Sequence, residues 1–124
     1  MTFATCLNCI DGRTHLPLIE WVKKKYGVDY VDLITEPGMV ELLACGFSDN
    51  SSLIGKIRIS LEKHQSVVLV AAGHYDCAGC TKNSPEHRKD IEKAVEKIRA
   101  EFPGVAVCGV WINECWTVEE VVAP

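Results

Sequence analysis

Residues 67–72, Val-Val-Leu-Val-Ala-Ala, are apolar at six successive positions without alternation. A strand with one wet face alternates polar and apolar side chains. A strand apolar on both faces is covered on both, as in the middle of a parallel sheet. Consecutive parallel strands need a crossover, usually a helix, so the run implies helices on either side of it along the chain. The sequence supplies them. Strands are predicted over residues 3–7, 30–34, 67–72 and 105–112. Between the first two, Pro17 suits a first helical turn, Ile19, Val22 and Tyr26 follow at helical spacing, and Gly27 suits the stop. A second helix follows caps at Asp49, Asn50 and Ser51, with Leu53, Ile54, Ile57 and Leu61 on one face. The longest helix begins at Ser84 and Pro85, carries Ile91, Val95, Ile98 and Phe102 as its stripe, and stops at Pro103-Gly104. A short last helix is expected from Thr117. The predicted fold is α/β: a single domain over residues 1–124 with a four-stranded, mostly parallel sheet flanked by helices.

Composition narrows the class. A chain of 124 residues makes one domain, and 48% apolar with 24% charged residues excludes disorder. No apolar run reaches the roughly 20 residues of a membrane span. Thirteen basic against seventeen acidic side chains leave a net charge of -4 with no basic patch, which argues against nucleic acid as a partner. The start of the sequence has no basic segment followed by a long apolar one, so a secretory signal is not expected. Seven cysteines are an odd number, so they cannot all pair within one chain. A reducing, cytoplasmic location is expected. There, cysteines serve as core hydrophobes, metal ligands or reactive thiols.

In open α/β sheets, ligands sit beyond the carboxyl ends of the strands at a topological switch point. The loops after the first and third strands are therefore where chemistry is expected, and cysteines cluster in both. The first loop carries Cys9, Asp11 and Arg13, and the second carries His74 and Cys77. Two thiolates and an imidazole form a soft donor set suited to Zn2+. Three protein ligands leave the fourth tetrahedral position open, as catalytic zinc requires. Water on such an ion loses a proton near neutral pH and becomes a nucleophile. Asp11 has two roles open to it. It can accept a hydrogen bond from that nucleophile while Arg13 holds its other oxygen, or it can ligate the metal and close the site. An extended backbone would put Asp11 and Arg13 on one side, and the pair would keep the carboxylate ionised. The same cysteines admit other readings: buried structural thiols beside a satisfied histidine, a four-cysteine zinc knot from Cys6-x-x-Cys9 and Cys77-x-x-Cys80, or a thiol redox pair.

Cys9-Ile10-Asp11-Gly12-Arg13, followed far downstream by Gly73-His74-Tyr75-Asp76-Cys77, resembles the C-x-D-x-R and H-x-x-C signature of the β-class carbonic anhydrases. The resemblance implies an α/β fold with a parallel sheet and zinc on Cys9, His74 and Cys77, with Asp11 and Arg13 as the catalytic dyad. It also implies a small-molecule substrate, with reversible hydration of carbon dioxide to bicarbonate, and a homodimer. A related heterocumulene, carbonyl sulfide or carbon disulfide, would suit the same attack. A zinc-binding relative with altered or lost catalysis is the alternative. Thr35-Glu36-Pro37-Gly38 lies where the family has a loop ending in Ala-Gly, and Val110-Trp111-Ile112-Asn113 is also family-like. There are departures. Gly12 replaces the usual Ser, and Thr35-Glu36 replaces an Arg-Asn pair. A substrate-associated Gln has no counterpart, and only eight residues precede Cys9. A minimal relative without the family's N-terminal arm is expected, with the apolar fourth strand as an edge for pairing.

The remaining candidates have local explanations beside functional ones. His15 would relay protons or simply start a helix. Asp76 would orient His74 or cap the next turn. Cys45, Cys108 and Cys115 are expected to be buried, and His64 and His87 solvated. Trp111 and Trp116 are read as apolar anchors in the core or at a subunit contact, and residues 86–101 as a helix with a charged, solvated face.

Overall fold

The computed structural model describes residues 1–79 and 83–124. Its elements, in chain order, are β1 (Phe3–Asn8), α1 (Gly12–Tyr26), β2 (Tyr30–Thr35), α2 (Met39–Ala44), α3 (Ser51–Arg58), β3 (Leu69–His74), α4 (Ser84–Glu101), β4 (Val107–Ile112) and β5 (Val118–Val122). A π-helical turn, Ile59–Lys63, continues α3. The sheet order is β2-β1-β3-β4-β5. The first four strands run parallel, and β5 is antiparallel to β4. The crossover from β1 leads outward to β2 on one side, and the chain then returns to place β3 on the other. The topological switch point is therefore the β1/β3 boundary, where Leu7 is in register with Ala71.

Every residue of β3 is buried, as the unbroken apolar run requires. Side chains alternate between two cores. Leu7, Leu69 and Ala71 join Met39, Leu43, Leu53 and Ile57 with the α4 stripe Ile91, Val95 and Ile98. Cys6, Val70, Cys108 and Val110 join Leu18 and Val22 of α1 on the opposite face. Helix α4 lies unusually close to the sheet because β4 carries glycine beneath it. A Cβ on Gly109 would stand 2.5 Å from Ile91 Cγ2.

Four expectations are corrected. The tail from Thr117 is a strand, not a helix. The segment is too short to nucleate a stable helix, whereas Val118–Val122 gains a hydrogen-bonded partner along β4. The sheet therefore has five strands, not four. The apolar β4 is interior and unavailable as an edge, and β2 and β5 are the edges instead. Pro17 is not in the first turn of α1 but within the helix, which starts at Gly12 because Asp11 caps it. Helix α2, which the sequence reading did not anticipate, follows directly on Gly38.

Candidate metal centre

The strand ends place the donor groups. Cys9 follows the last residue of β1, His74 is the last residue of β3, and Cys77 lies in the loop beyond. Cys9 and His74 are buried, at 4% and 1% exposure. One ligating atom from each of Cys9, His74 and Cys77 lies within 4.8 Å of the others. The two sulfurs are 3.9 Å apart. Tetrahedral zinc with Zn–S bonds of about 2.3 Å would separate two thiolates by about 3.8 Å, so the spacing suits the ion.

The histidine adds an independent test. Its Nδ1 lies 2.7 Å from the Tyr75 carbonyl oxygen. A carbonyl only accepts, so Nδ1 carries the proton and Nε2 presents a lone pair. That Nε2 is buried and has no hydrogen-bond partner in the protein. Leaving such an atom unsatisfied costs about 1–3 kcal/mol, and a metal ion is what would satisfy it. The donor set and the orphaned nitrogen both fit a thiophilic divalent cation.

Asp11 and Arg13 are held together differently from the expected route. Asp11 is the N-cap of α1, and its Oδ1 accepts from the Arg13 backbone N–H at 3.0 Å. The two side chains meet through that cap and not along an extended strand. Arg13 then forks back onto the carboxylate, Nη2 to Oδ2 at 2.6 Å and Nε to Oδ1 at 3.0 Å. The hydrogen bond from Arg13 lowers the Asp11 pKa from 3.8 to about 2. The carboxylate in turn raises the already high pKa of the guanidinium. Behind the cap, Asn8 Nδ2 donates to Thr14 Oγ1 at 2.8 Å, and that hydroxyl donates to the Asp11 carbonyl at 2.7 Å. The buried end of β1 thus braces the turn that carries the dyad.

Other candidates are redistributed. Among the described residues, Asp76 is found on Arg13 and not on His74. Its carboxylate accepts from Arg13 Nη1 at 3.3 Å, and its carbonyl accepts from Nη2 at 3.2 Å. His15 Nε2 lies 3.2 Å from the Cys9 carbonyl oxygen, so the ring is tied to the backbone of a donor residue. Cys6 is buried in the α1-side core near Cys108, and burial raises its thiol pKa far above the usual value. A four-cysteine knot or a Cys6–Cys9 redox pair is therefore not formed here. Cys80 lies outside the described residues. Cys45 and Cys115 are exposed, contrary to expectation, while Cys108 is buried. Cys45 follows the short α2 and Cys115 sits in the turn between β4 and β5, both at the surface.

His87 corrects another expectation. It is buried, because the inner face of α4 begins one turn earlier than the apolar stripe indicates. Its ring meets Trp111 edge to face at 5.6 Å. His87 and Trp111 line a cavity of about 350 Å³ together with His74, Cys77 and Asn83. The sequence reading missed this wall. The only sequence signal was the helical spacing of His87 to Ile91 and Ala94. His64 is at the surface as expected, paired with Asp32 at 2.6 Å. Trp111 is a core anchor, and Trp116 lies under the Arg13 guanidinium, 4.6 Å from ring centre to Cζ.

The sequence matches the profile of a family described as "Putative carbonic anhydrase" over residues 1–122. The chain belongs to this carbonic anhydrase family. No curated protein matches it. Among solved structures, the fold is similar to β-carbonic anhydrase isoform I of the protozoan Trichomonas vaginalis. The TM-score is 0.67 and the identity 13%, covering 96% of this chain and 82% of that one. It is equally similar in fold to tetrameric β-carbonic anhydrases of the ascomycete Sordaria macrospora, at TM-score 0.67 and 10% identity, covering 97% of this chain and 81% of that one. A carbonic anhydrase from Streptococcus mutans gives 0.62 and 13%, covering 94% and 80%. The fold comparisons thus match the parallel core, at whose switch point the Cys-His-Cys group stands. Among the described residues, no helix is long and apolar enough to cross a membrane.

Proposed function

We propose that this carbonic anhydrase family member catalyses the zinc-dependent, reversible hydration of carbon dioxide to bicarbonate. The observation that carries the reading is the buried, unpartnered Nε2 of His74 within reach of the Cys9 and Cys77 sulfurs. In this reading Cys9, His74 and Cys77 hold Zn2+, with Tyr75 fixing the imidazole tautomer through its carbonyl. Bound zinc supplies a Lewis acid that lowers the pKa of coordinated water to near 7. Asp11, ionised throughout the physiological range, accepts a hydrogen bond from the attacking nucleophile and aims its lone pair at the carbon. Arg13 keeps the carboxylate in that orientation. Its hold on both Asp11 oxygens favours this orienting role over direct ligation of the metal. His15, partly buried at the start of α1 with Nε2 3.2 Å from the Cys9 carbonyl oxygen, is the base that would pass the released proton to buffer. Carbonyl sulfide and carbon disulfide present the same electrophilic carbon and are the competing substrates. The reading also takes the chain as a homodimer, with the open edge β2, where Tyr30 is 53% exposed, as the pairing surface.

The test is metal content per chain on protein purified under reducing conditions, with stopped-flow hydration on the same batch. One zinc with turnover is expected. One zinc with no turnover on any of the three substrates would replace catalysis with a structural or sensing role. No metal would overturn the ligand assignment.

A further inference from the structure

We propose that Trp116, in the turn joining β4 to β5, is a positioning residue for Arg13 and, through it, for Asp11; this rests on the functional reading above. Three non-glycine residues among those described have positive φ: Gln65, Asp76 and Trp116. Two of the three hold Arg13. A bulky aromatic at φ +57° is a genuine outlier, and strain of this kind gathers at functional sites.

The turn geometry sharpens the point. Asn113 N–H donates to the Thr117 carbonyl and Trp116 N–H donates to the Asn113 carbonyl, which closes a three-residue hairpin loop. The third loop position in such a hairpin takes the left-handed conformation and ordinarily carries glycine. Here it carries the largest side chain available. The loop is held in shape by Asn113, whose Oδ1 accepts from the N–H groups of Cys115 and Thr117 and from the Thr117 hydroxyl. The ring packs against the α1-side core and lines an apolar groove with Leu16, Pro17, Trp21 and Val118. One face is left for the Arg13 guanidinium.

Arg13 needs such support. Its side chain is 48% exposed and bridges two carboxylates, Asp11 within its own turn and Asp76 in the loop after β3. Stacking on the indole fixes the plane of the guanidinium without competing for its N–H donors. The plane that puts Nε and Nη2 on Asp11 while Nη1 reaches Asp76 is thereby held in place.

The experiment follows the Arg13 Nε–H resonance, assigned by its loss in Arg13→Lys, in 15N-labelled protein. Trp116→Asn accepts the left-handed backbone and removes the ring, and Trp116→Phe keeps a ring. In the native chain, the Arg13 Nε–H is expected to be shifted upfield by the indole and slow to exchange. Trp116→Asn is expected to move it to the position of a free arginine and speed its exchange, with Trp116→Phe retaining most of both effects. In zinc-loaded protein, Trp116→Asn is expected to lower hydration kcat about two- to fivefold at unchanged KM and zinc content, with Trp116→Phe recovering most of the loss. An unchanged Arg13 resonance in Trp116→Asn overturns the proposal. So does an unchanged kcat in Trp116→Asn where Asp11→Asn lowers it. A native protein without hydration activity would sink the functional reading, and the positioning claim would then stand or fall on the Arg13 resonance.

Discussion

The site has two halves built on different principles. Cys9 and His74 are fixed by β1 and β3, buried where the sheet itself dictates their separation. Asp11 and Arg13 stand a few residues away on a helix cap, and the Arg13 side chain is half exposed and held by the Asp11 and Asp76 carboxylates, the Asp76 carbonyl and the Trp116 ring. The buried half resists local change because the core positions it. The exposed half depends on each of its contacts, because water competes for every one of them. Metal affinity should therefore be set by the sheet, and any rate by the cap.

Removing a donor breaks the comparison hardest. Cys77→Ser is expected to weaken zinc binding by at least about a hundredfold, beyond what disturbing an outer partner costs. Competition with a chromogenic chelator would measure it, and wild-type affinity in the variant would remove Cys77 from the ligand set. Asp11→Asn touches only the half built on the helix cap. It should keep its zinc while losing at least about tenfold in hydration rate, the low end for one positioned hydrogen-bonding group. Zinc loss in this variant would mean that the two halves are not separable.

Gly79 tests the loop between them. A Cβ there would stand 2.7 Å from the Gly38 nitrogen and 3.0 Å from the Pro37 carbonyl carbon, backbone that cannot swing aside. Gly79→Ala should force the loops after β2 and β3 apart at a cost of about 1–3 kcal/mol. Lower zinc affinity with an unchanged far-ultraviolet spectrum is the expected signature. A variant binding zinc normally would show that Cys77 is placed independently of that contact.

The smallest effect is in pH. Because the Asp11 pKa falls from 3.8 to about 2 on folding, its charge stabilises the fold fully above 3.8, and that contribution disappears as pH drops through 2. The gap in urea midpoint between the native chain and Asp11→Asn should therefore close between pH 5 and pH 2. A gap that stays constant would mean that the Arg13 bond does not stabilise the folded carboxylate.

Much of this was legible from residues alone. The unbroken apolar run at β3 required a covered parallel strand, and the two cysteine-bearing loops followed from the switch-point rule. Short-range chemistry placed the donors, because Cys9 and His74 are one residue past β1 and the last residue of β3. The tail was misread because Thr117 and the residues after it carry no glycine turn signal. The left-handed position in that hairpin is occupied by Trp116, where pattern reading looks for Gly or Asn. His87 was misread because a histidine among charged neighbours looks solvated until the helix phase is fixed by what it packs on.

The sequence by itself determined the alternation of strands and helices, the crowding of soft donors at two strand ends and the family resemblance. Each of these depends on residues close in the chain or on a periodicity that local sterics and burial enforce. Only the tertiary structure decided which residues support Arg13. Asp76 and Trp116 are distant from it in sequence, and they reach it because β3 and the β4–β5 turn end at the same edge of the cleft. Contacts of that kind are set by strand order and register, which no local pattern encodes.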